Sequence, residues 1–170
     1  MRPVIGIDPS LTATAAVADT FQGVITTRLT GPARLDHIRA EVEQCIIGAT
    51  TSVPPLIAIE GYAYGRHNKA HQIGELGGVL RLMFWTADLE VIEVPPSTLK
   101  KFATGKGNAG KDLVVSAVTH RAGRVFASND IVDATVLHAI GHQILGQRHC
   151  LGDLPQTHLS ALDKITKDNK

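Results

Sequence analysis

The sequence contains little cysteine, few aromatic residues and no long hydrophobic run. Its two cysteines, Cys45 and Cys150, have no CxxC neighbours, which favours reduced thiols in a cytoplasmic protein. No apolar stretch approaches the roughly 18 residues of a membrane span. The N-terminus predicts a strand rather than a signal peptide. We therefore expect no membrane partner.

The composition is that of one ordinary globular domain. The chain has 170 residues, of which 44% are hydrophobic and 19% charged, and this excludes collagen-like, mucin-like and broadly disordered proteins. Because aromatic residues make up only 4%, Ile, Val, Leu and Ala must build the core. We expect the folded domain to span residues 1–148. Residues 149–170 are polar and weakly patterned, and we expect them to form a flexible tail.

Charge is balanced over the chain as a whole. There are 17 basic and 16 acidic residues, which gives a formal net charge of +1. Such a chain has no global excess of positive charge that would attract a polyanion. Any nucleic-acid interface must therefore depend on a local basic patch.

Hydrophobic patterning predicts an α/β fold. Three short strands joined by tight turns come first, and later strands alternate with helices, in the order β-β-β-α-β-α-β-α-α-α. Residues 56–59 are apolar throughout, as expected for a strand buried on both faces. The order predicts a five-stranded mixed sheet, with three antiparallel strands followed by parallel ones, flanked by helices. This is the ribonuclease H-like layout.

Four acidic residues stand at positions suited to catalysis. Asp8 ends the first strand and Glu60 ends the fourth, and sites in open α/β sheets form at the carboxyl ends of strands. Asp130 and Asp133 are three residues apart near the start of the last long helix, which places both carboxylates on one helix face. If the first and fourth strands are neighbours, the acids come together.

Converging carboxylates call for a cation, because ionised carboxylates repel one another. Oxygen ligands without nearby cysteine favour Mg²⁺ or Mn²⁺. Two such ions activate water and stabilise the leaving oxygen in phosphodiester hydrolysis. Structural interpretations stay open at two positions, since Asp8-Pro9-Ser10 is also typical of a turn and Asp130 of a helix cap.

Five segments carry a family resemblance when they are read in order. They are residues 4–10, 57–60, 94–101, 104–111 and 129–134. Together they resemble the RuvC family of Holliday-junction resolvases, and their order and spacing match over about residues 4–145. The chain departs from the family pattern at Ala63, where an aromatic residue is usual, and after Ala134, where small residues are usual. These departures would suit a bacteriophage member of the family.

The resemblance implies a homodimeric, metal-dependent endonuclease of DNA recombination and repair that nicks two opposed strands of a four-way junction symmetrically. The implied ligands of two Mg²⁺ ions, for which Mn²⁺ would substitute, are Asp8, Glu60, Asp130 and Asp133. Lys100 and Lys111 match the family's catalytically important lysines. A lysine near the scissile phosphate neutralises charge that develops in the transition state.

Basic and aromatic residues cluster near the expected site. The expected DNA-binding residues are Tyr62, Tyr64, Arg66, Lys69, Lys100, Lys101, Lys106 and Lys111. Lysine contacts to phosphate give affinity without base specificity, and tyrosines suit unpaired bases at a branch point. Each lysine is also compatible with a solvated loop, and each tyrosine with ordinary packing. The glycines around Lys106 lack the spacing of a phosphate-binding Walker A loop.

A helix predicted over about residues 69–87 is apolar on more than one side. A helix of this kind is buried on two sides. The sheet and a second subunit could cover it, or it could be buried within one chain. The expected dimer-interface residues, at close to heptad spacing, are Ile73, Leu76, Gly77, Leu80, Met83 and Phe84.

Two histidine pairs have the i, i+4 spacing of metal ligands. They are His67 with His71 and His138 with His142, and neither pair has the glutamate of a metalloprotease helix. On a helical wheel, His138 is about 80° from Asp130 and about 140° from the second helical acid. It is therefore not expected to face the carboxylates squarely.

Three other functions fit parts of the pattern. A ribonuclease H-type hydrolase of RNA–DNA hybrids shares the fold and the metals. Actin-like and sugar-kinase folds also begin with a Gly-Ile-Asp strand, but they need two such domains. A junction-binding module without catalysis would not need four acids that face phosphates. The resemblance favours branched DNA as substrate and the cytoplasm of a bacterial cell or phage-infected host, and leaves a role for branch-migration proteins open.

Overall fold

The computed structural model describes residues 1–61, 70–165 and 167–168. Its strands are β1 (Val4–Asp8), β2 (Thr14–Ala18), β3 (Gln22–Ile25), β4 (Leu56–Glu60), β5 (Val91–Val94) and β6 (Lys167–Asp168). Its helices are α1 (Gly31–Ala49), α2 (Ala70–Thr86), α3 (Pro96–Thr104), α4 (Lys111–Ala122), α5 (Asn129–Ile144) and α6 (Gln156–Leu159). Within these residues, none of the helices combines the length and hydrophobicity that a bilayer crossing needs.

The strands form one mixed sheet in the spatial order β3-β2-β1-β4-β5-β6. β1 pairs antiparallel with β2 and parallel with β4, and β5 pairs parallel with β4. The element order predicted from the sequence is confirmed from β1 through α5. The short β6 adds an antiparallel edge to β5. It was not predicted, because two residues are too few to show a strand period.

Alternate residues of the central strands face opposite layers of helices. Ile5 and Ile57 pack with apolar side chains of α1 and α2. Their neighbours Val4 and Leu56 pack instead with side chains of α3, α4 and α5. Successive side chains of a strand point to opposite faces, so both faces of β1 and β4 are covered. This explains the continuous apolar run at residues 56–59, all of which are fully buried.

Helix α5 approaches β1 more closely than side chains would allow. A Cβ atom built on Gly6 would lie 2.1 Å from the carbonyl oxygen of Ala134 and 2.4 Å from the amide nitrogen of His138. A Cβ atom on Gly141 would lie 2.4 Å from Cγ1 of Val4. Two glycines, one on each element, therefore set the distance between α5 and β1. They also set the position of every side chain that α5 carries.

Residues 149–163 pack against the domain, which differs from the flexible tail expected from their composition. Leu151 and Ala161 are buried in the core that includes α3, α4 and α5. His158 of α6 is also buried, and its Nδ1 lies 2.8 Å from the carbonyl oxygen of Phe102 in α3. The sequence did not reveal these contacts, because isolated apolar residues in a polar segment have no helical or strand period.

Replacing Gly6 with alanine should separate α5 from β1. The added Cβ would overlap backbone atoms, which cannot move aside as a flexible side chain can. We expect the free energy of unfolding to fall by about 3 kcal/mol.

Gly48→Ala is the matched control for this substitution. A Cβ there would contact nothing within 4 Å, and alanine favours a helix interior over glycine by roughly 0.5–1 kcal/mol. Urea unfolding of the wild type and both variants measures the two effects. Equal stability of Gly6→Ala and the wild type would contradict the close approach.

Candidate active site

The parallel pairing of β1 with β4 brings two carboxyl groups together. The register aligns Ile7 with Ile59, so the next residue of each strand, Asp8 and Glu60, lies at the same edge of the sheet. Both side chains are partly buried, and a hydrogen bond joins them. The first and fourth strands are thus neighbours, which was the condition for the acids to come together.

Helix α5 contributes two more acids from its first turns. Oγ of Ser128 caps the helix by accepting a hydrogen bond from the amide of Ile131 at 3.3 Å. Asp130 lies in the first turn, and Asp133 follows on the same face. The charges of both residues raise the pKa of Asp8. Asp130 and Asp133 influence Asp8 through their charge alone. Asp8 and Glu60, at the strand ends, are joined by a hydrogen bond. We call the four residues the acid cluster.

The acid cluster holds protons unusually tightly. Burial, followed by the charges of Glu60, Asp133 and Asp130, raises the pKa of Asp8 to about 8. Burial and the charge of Asp133 also raise the pKa of Glu60. Burial, with a contribution from Asp130, raises the pKa of Asp133. Carboxylates in this state release protons when a cation binds, because the cation favours the ionised form.

Two lysines offset part of this negative charge. Lys100 of α3 and Lys111, the first residue of α4, both act to lower the pKa values of Glu60 and Asp133. Lys111 is exposed and Lys100 is half-buried. Both residues expected to be catalytic lysines therefore lie within electrostatic range of the acid cluster.

The loop between α3 and α4 is organised by Thr104. Its hydroxyl donates to the carbonyl oxygen of Lys100 at 2.8 Å and accepts from the amide of Lys106 at 3.1 Å. Gly105 ends α3 with a φ of +79°, in the left-handed region that glycine adopts without strain. These contacts fix the end of α3, which carries Lys100, against the start of the loop that leads to Lys111 in α4.

The expected DNA-binding residues fall into two groups. Lys101 and Lys106 lie on the same segment as Lys100, and Lys106 is exposed. The other group lies outside the residues that the structure describes: Tyr62, Tyr64, Arg66 and Lys69, together with the departing position Ala63.

The stripe expected to form a dimer interface faces the core of its own chain instead. The buried members of this stripe are Leu76, Gly77, Leu80, Met83 and Phe84. The four larger side chains pack with β1, β4 and α1, and the side chain of Ile73 lies outside the described part of the chain. Heptad spacing was not decisive, because it identifies an apolar face but not what covers that face. The opposite face of α2 exposes Leu82 and Trp85, at 61% and 66%.

His138 and His142 lie away from the acid cluster, as the helical wheel predicts. Their Nε2 atoms approach Asp19, the residue after β2. β2 runs antiparallel to β1 with Ala18 beside Ile5, so Asp19 lies at the opposite end of the sheet from the acid cluster. Burial, followed by the charge of His142, lowers the pKa of His138 to about 4. The side chains of the other pair, His67 and His71, are outside the described part.

Sequence comparisons identify similar proteins of one kind. The family profile described as crossover junction endodeoxyribonuclease RuvC matches residues 4–142. Crossover junction endodeoxyribonuclease RuvC from Synechococcus sp. (strain WH7803) is 29% identical over 123 residues, which cover 68% of this chain and 80% of that protein. The protein of the same name from Carboxydothermus hydrogenoformans is 24% identical over 156 residues, which cover 84% of this chain and 97% of that one.

Solved structures share the fold. T. thermophilus RuvC in complex with Holliday junction substrate superposes with a TM-score of 0.67 at 22% identity, over 86% of this chain and 97% of that one. A second Thermus thermophilus RuvC structure gives a TM-score of 0.65 at 21% identity, over 85% and 96% of the two chains. The ribonuclease H-like fold predicted from the order of the elements is thereby confirmed.

In metal-free buffer, the raised pKa of Asp8 predicts that stability falls as pH rises. The folded residue keeps its proton up to about pH 8, whereas the unfolded residue releases it near its ordinary pKa of 3.8. The folded state therefore binds more protons between these values, and the free energy of unfolding decreases across this window. We expect a decrease of roughly 2 kcal/mol, below the full linkage value because the acids titrate together.

Asp8→Asn should flatten this pH dependence and exceed the wild type in stability near pH 8. Denaturant unfolding in a chelating buffer over a pH series measures the effect. Asp36→Asn, an exposed substitution on α1, should keep the wild-type slope. If Asp8→Asn also keeps that slope, Asp8 is not the group that titrates.

Proposed function

This chain belongs to the RuvC family, and we propose that, as a crossover junction endodeoxyribonuclease, it resolves four-way DNA junctions by paired, symmetric nicks. The observation that carries the proposal is the acid cluster at the edge of the sheet, where Asp8 contacts Glu60 and the charge of Asp133 from α5 acts on both. The curated relatives bear this enzyme name, and one matched structure contains a Holliday junction substrate. The activity is metal-dependent hydrolysis of DNA.

The acid cluster has the donor chemistry of a divalent-cation site, although no three of its residues bring their ligand atoms within 4.8 Å of one another in the described structure. Its donors are carboxylate oxygens, which Mg²⁺ prefers and Mn²⁺ also accepts. Three of its acids have raised pKa values, so a bound cation would relieve a repulsion that the fold itself creates. We infer that the ligands of two Mg²⁺ ions are Asp8, Glu60, Asp130 and Asp133. The chemistry that such ions supply is activation of a water molecule and stabilisation of negative charge on the phosphate.

The protein's own groups hold the ligands and attract the substrate. Strand pairing fixes Asp8 beside Glu60, and the close approach of α5 fixes Asp133 relative to them. We infer that Lys100 and Lys111 contact the scissile phosphate and neutralise charge that grows there in the transition state. This role is compatible with their position beside the acids.

A wider surface would hold the DNA. Lys101 and Lys106 continue the basic segment and would contact backbone phosphates, which gives affinity without base specificity. The remaining DNA-binding residues that we propose follow Glu60 closely in sequence: Tyr62, Tyr64, Arg66 and Lys69. The tyrosines would stack on bases unpaired at the branch point.

Residues 1–148 form the nuclease domain in this proposal, with residues 149–163 supporting it through α6. The bacterial origin of the curated relatives supports action in the cytoplasm of a bacterial cell or a phage-infected host.

Paired symmetric nicks need two active sites related by a two-fold axis, so we infer a homodimer. Its interface is the outer face of α2, where Gly78, Leu82 and Trp85 follow one another at i, i+4 and i+7. The two large side chains are mostly exposed, and aromatic residues are enriched in interface cores. A Cβ at Gly78 would contact nothing within 4 Å, which leaves room for a second backbone.

Cleavage of a labelled synthetic four-way junction in Mg²⁺ tests the function. We expect paired symmetric nicks in the junction, with little cutting of linear duplex or of an RNA–DNA hybrid. Asp8→Asn should lower the rate at least about 100-fold while junction binding persists. Asp36→Asn should cleave like the wild type.

Two results would reject the proposal. Preferential cutting of the RNA strand of the hybrid would favour a ribonuclease H-type hydrolase. Junction binding without cutting, in either Mg²⁺ or Mn²⁺, would favour a non-catalytic binding module.

Trp85→Glu should convert the dimer to a monomer, because a charge in the centre of an apolar interface loses its hydration without gaining a partner. Light scattering measures the mass, and the monomer should make single nicks rather than paired ones. Val125→Glu is the matched control, since Val125 is 87% exposed and lies outside α2. If Trp85→Glu remains dimeric, the interface lies elsewhere.

A further inference from the structure

A second cluster of ligand-type side chains lies at the end of the sheet opposite the acid cluster. Nε2 of His142 is 3.1 Å from Nε2 of His138 and 3.1 Å from Oδ1 of Asp19. Nε2 of His138 is 3.4 Å from the same oxygen. Among the described residues, no other group of three or more His, Cys, Asp or Glu brings its ligand atoms within 4.8 Å of one another. We call these three residues the His–Asp cluster.

The fold holds this cluster in place from two elements. His138 and His142 are one turn apart on α5, and both are buried, at 7% and 1% exposure. Their rings stand nearly perpendicular, at an interplanar angle of 76°. Asp19 follows β2 and its side chain is 49% exposed. The cluster is therefore buried on its helical side and open to solvent through Asp19.

Hydrogen bonds alone do not pair the three facing atoms well: Nε2 of His138, Nε2 of His142 and Oδ1 of Asp19. A single proton on Nε2 of His142 leaves the lone pairs of His138 and Asp19 facing each other at 3.4 Å. Protons on both rings, each donated to Asp19, place two N–H dipoles side by side with their nitrogens 3.1 Å apart. A cation between the three atoms would accept a lone pair from each of them.

We propose that Asp19, His138 and His142 bind a divalent transition-metal ion of the Zn²⁺ class. Two imidazoles and a carboxylate form a donor set that Zn²⁺ uses, whereas Mg²⁺ prefers oxygen ligands alone. Tetrahedral ligands at about 2.0–2.1 Å from Zn²⁺ lie about 3.3 Å from one another. The separations of 3.1, 3.1 and 3.4 Å in the His–Asp cluster are close to this spacing.

A cavity beside the cluster leaves room for a fourth ligand. It has a volume of about 320 Å³, and Arg124, Arg148 and Cys150 line it together with the cluster. His149 also lines it. However, the ring nitrogens of His149 already contact Oε1 of Gln143 at 3.0 Å and the amide of Leu151 at 3.3 Å. Water in this cavity is therefore the available fourth ligand.

The side chain of Gln147 sets the tautomer of His142. Its carboxamide lies 2.7 Å from Nδ1 of His142. With its oxygen toward the ring, it accepts the Nδ1–H and leaves the Nε2 lone pair for an ion. With its nitrogen toward the ring, the orientation in which all of its hydrogen bonds are satisfied, it donates to Nδ1 of His142 and to the carbonyl oxygen of Arg2 at 3.1 Å, and its oxygen accepts from the amide of Arg2 at 2.9 Å. In that orientation Nε2 of His142 carries the ring proton, so an ion at Nε2 would require this amide to rotate and the proton to move to Nδ1.

The role of such an ion would be structural. It would tie the turn after β2 to α5, the helix that also carries Asp130 and Asp133. His142 follows Asp133 by nine positions, which is about 14 Å along the helix. The two metal sites therefore share no ligand, and the inference does not depend on the proposed nuclease activity.

Zinc titration of the full-length Asp8→Asn protein in excess Mg²⁺ tests the site, because this background weakens competing binding at the acid cluster. Competition with a chromophoric chelator should show one Zn²⁺ per chain, and Zn²⁺ should raise the thermal unfolding midpoint. Adding Asp19→Asn, a half-exposed change that should not disturb folding, should weaken binding at least about tenfold. It should also abolish the midpoint shift.

His149→Asn is the matched control from the same cavity, and in the same background it should leave zinc affinity unchanged. Co²⁺ gives an independent readout, since the strong visible absorption of tetrahedral Co²⁺ should appear in the background protein and disappear with His142→Asn. Zinc that binds equally well with Asp19→Asn and His142→Asn would overturn the proposal. So would no zinc binding in the background protein, which would leave Asp19 as an acceptor for two buried imidazoles.

Discussion

The close contact between α5 and β1 is the constraint on which the rest of the molecule depends. Gly6 and Gly141 have no side chains to separate the two backbones, so the helix lies directly on the central strand. One end of α5 then carries acids to the end of β1, and the other end carries two histidines to the turn after β2. A single packing contact thus positions both clusters.

The acid cluster places function in conflict with stability. Burying several carboxylates side by side is unfavourable for their charged forms. Their pKa values are therefore raised, to about 8 for Asp8. Lys100 and Lys111 offset the cost only in part. A bound cation would relieve the repulsion between these carboxylates, which agrees with the metal dependence of the RuvC family. The pairing of β1 with β4 and the capped start of α5 hold the acids in place despite this repulsion.

The two faces of α2 illustrate how one element serves two purposes. Its inner face completes the core beneath β1 and β4. Its outer face leaves Leu82 and Trp85 in solvent, although large apolar side chains exposed together are usually interface residues. An enzyme that nicks opposed strands needs a second copy of itself, and this surface is suited to recruit one. The C-terminal segment has a comparable structural role, because His158 holds the end of the lysine-bearing α3.

The sequence by itself determined the features that depend on local period. Alternation and apolar runs predicted the order of strands and helices, and i, i+3 spacing placed Asp130 and Asp133 on one face. Strand ends marked Asp8 and Glu60 as candidates, but only the tertiary structure decided that β1 and β4 are neighbours. It also decided which face of α2 turns inward, and it brought Asp19 to His142 across 123 residues. The physical reason is that side-chain period defines a face within one element, whereas the partner of that face is chosen by packing among distant segments, which no local pattern encodes.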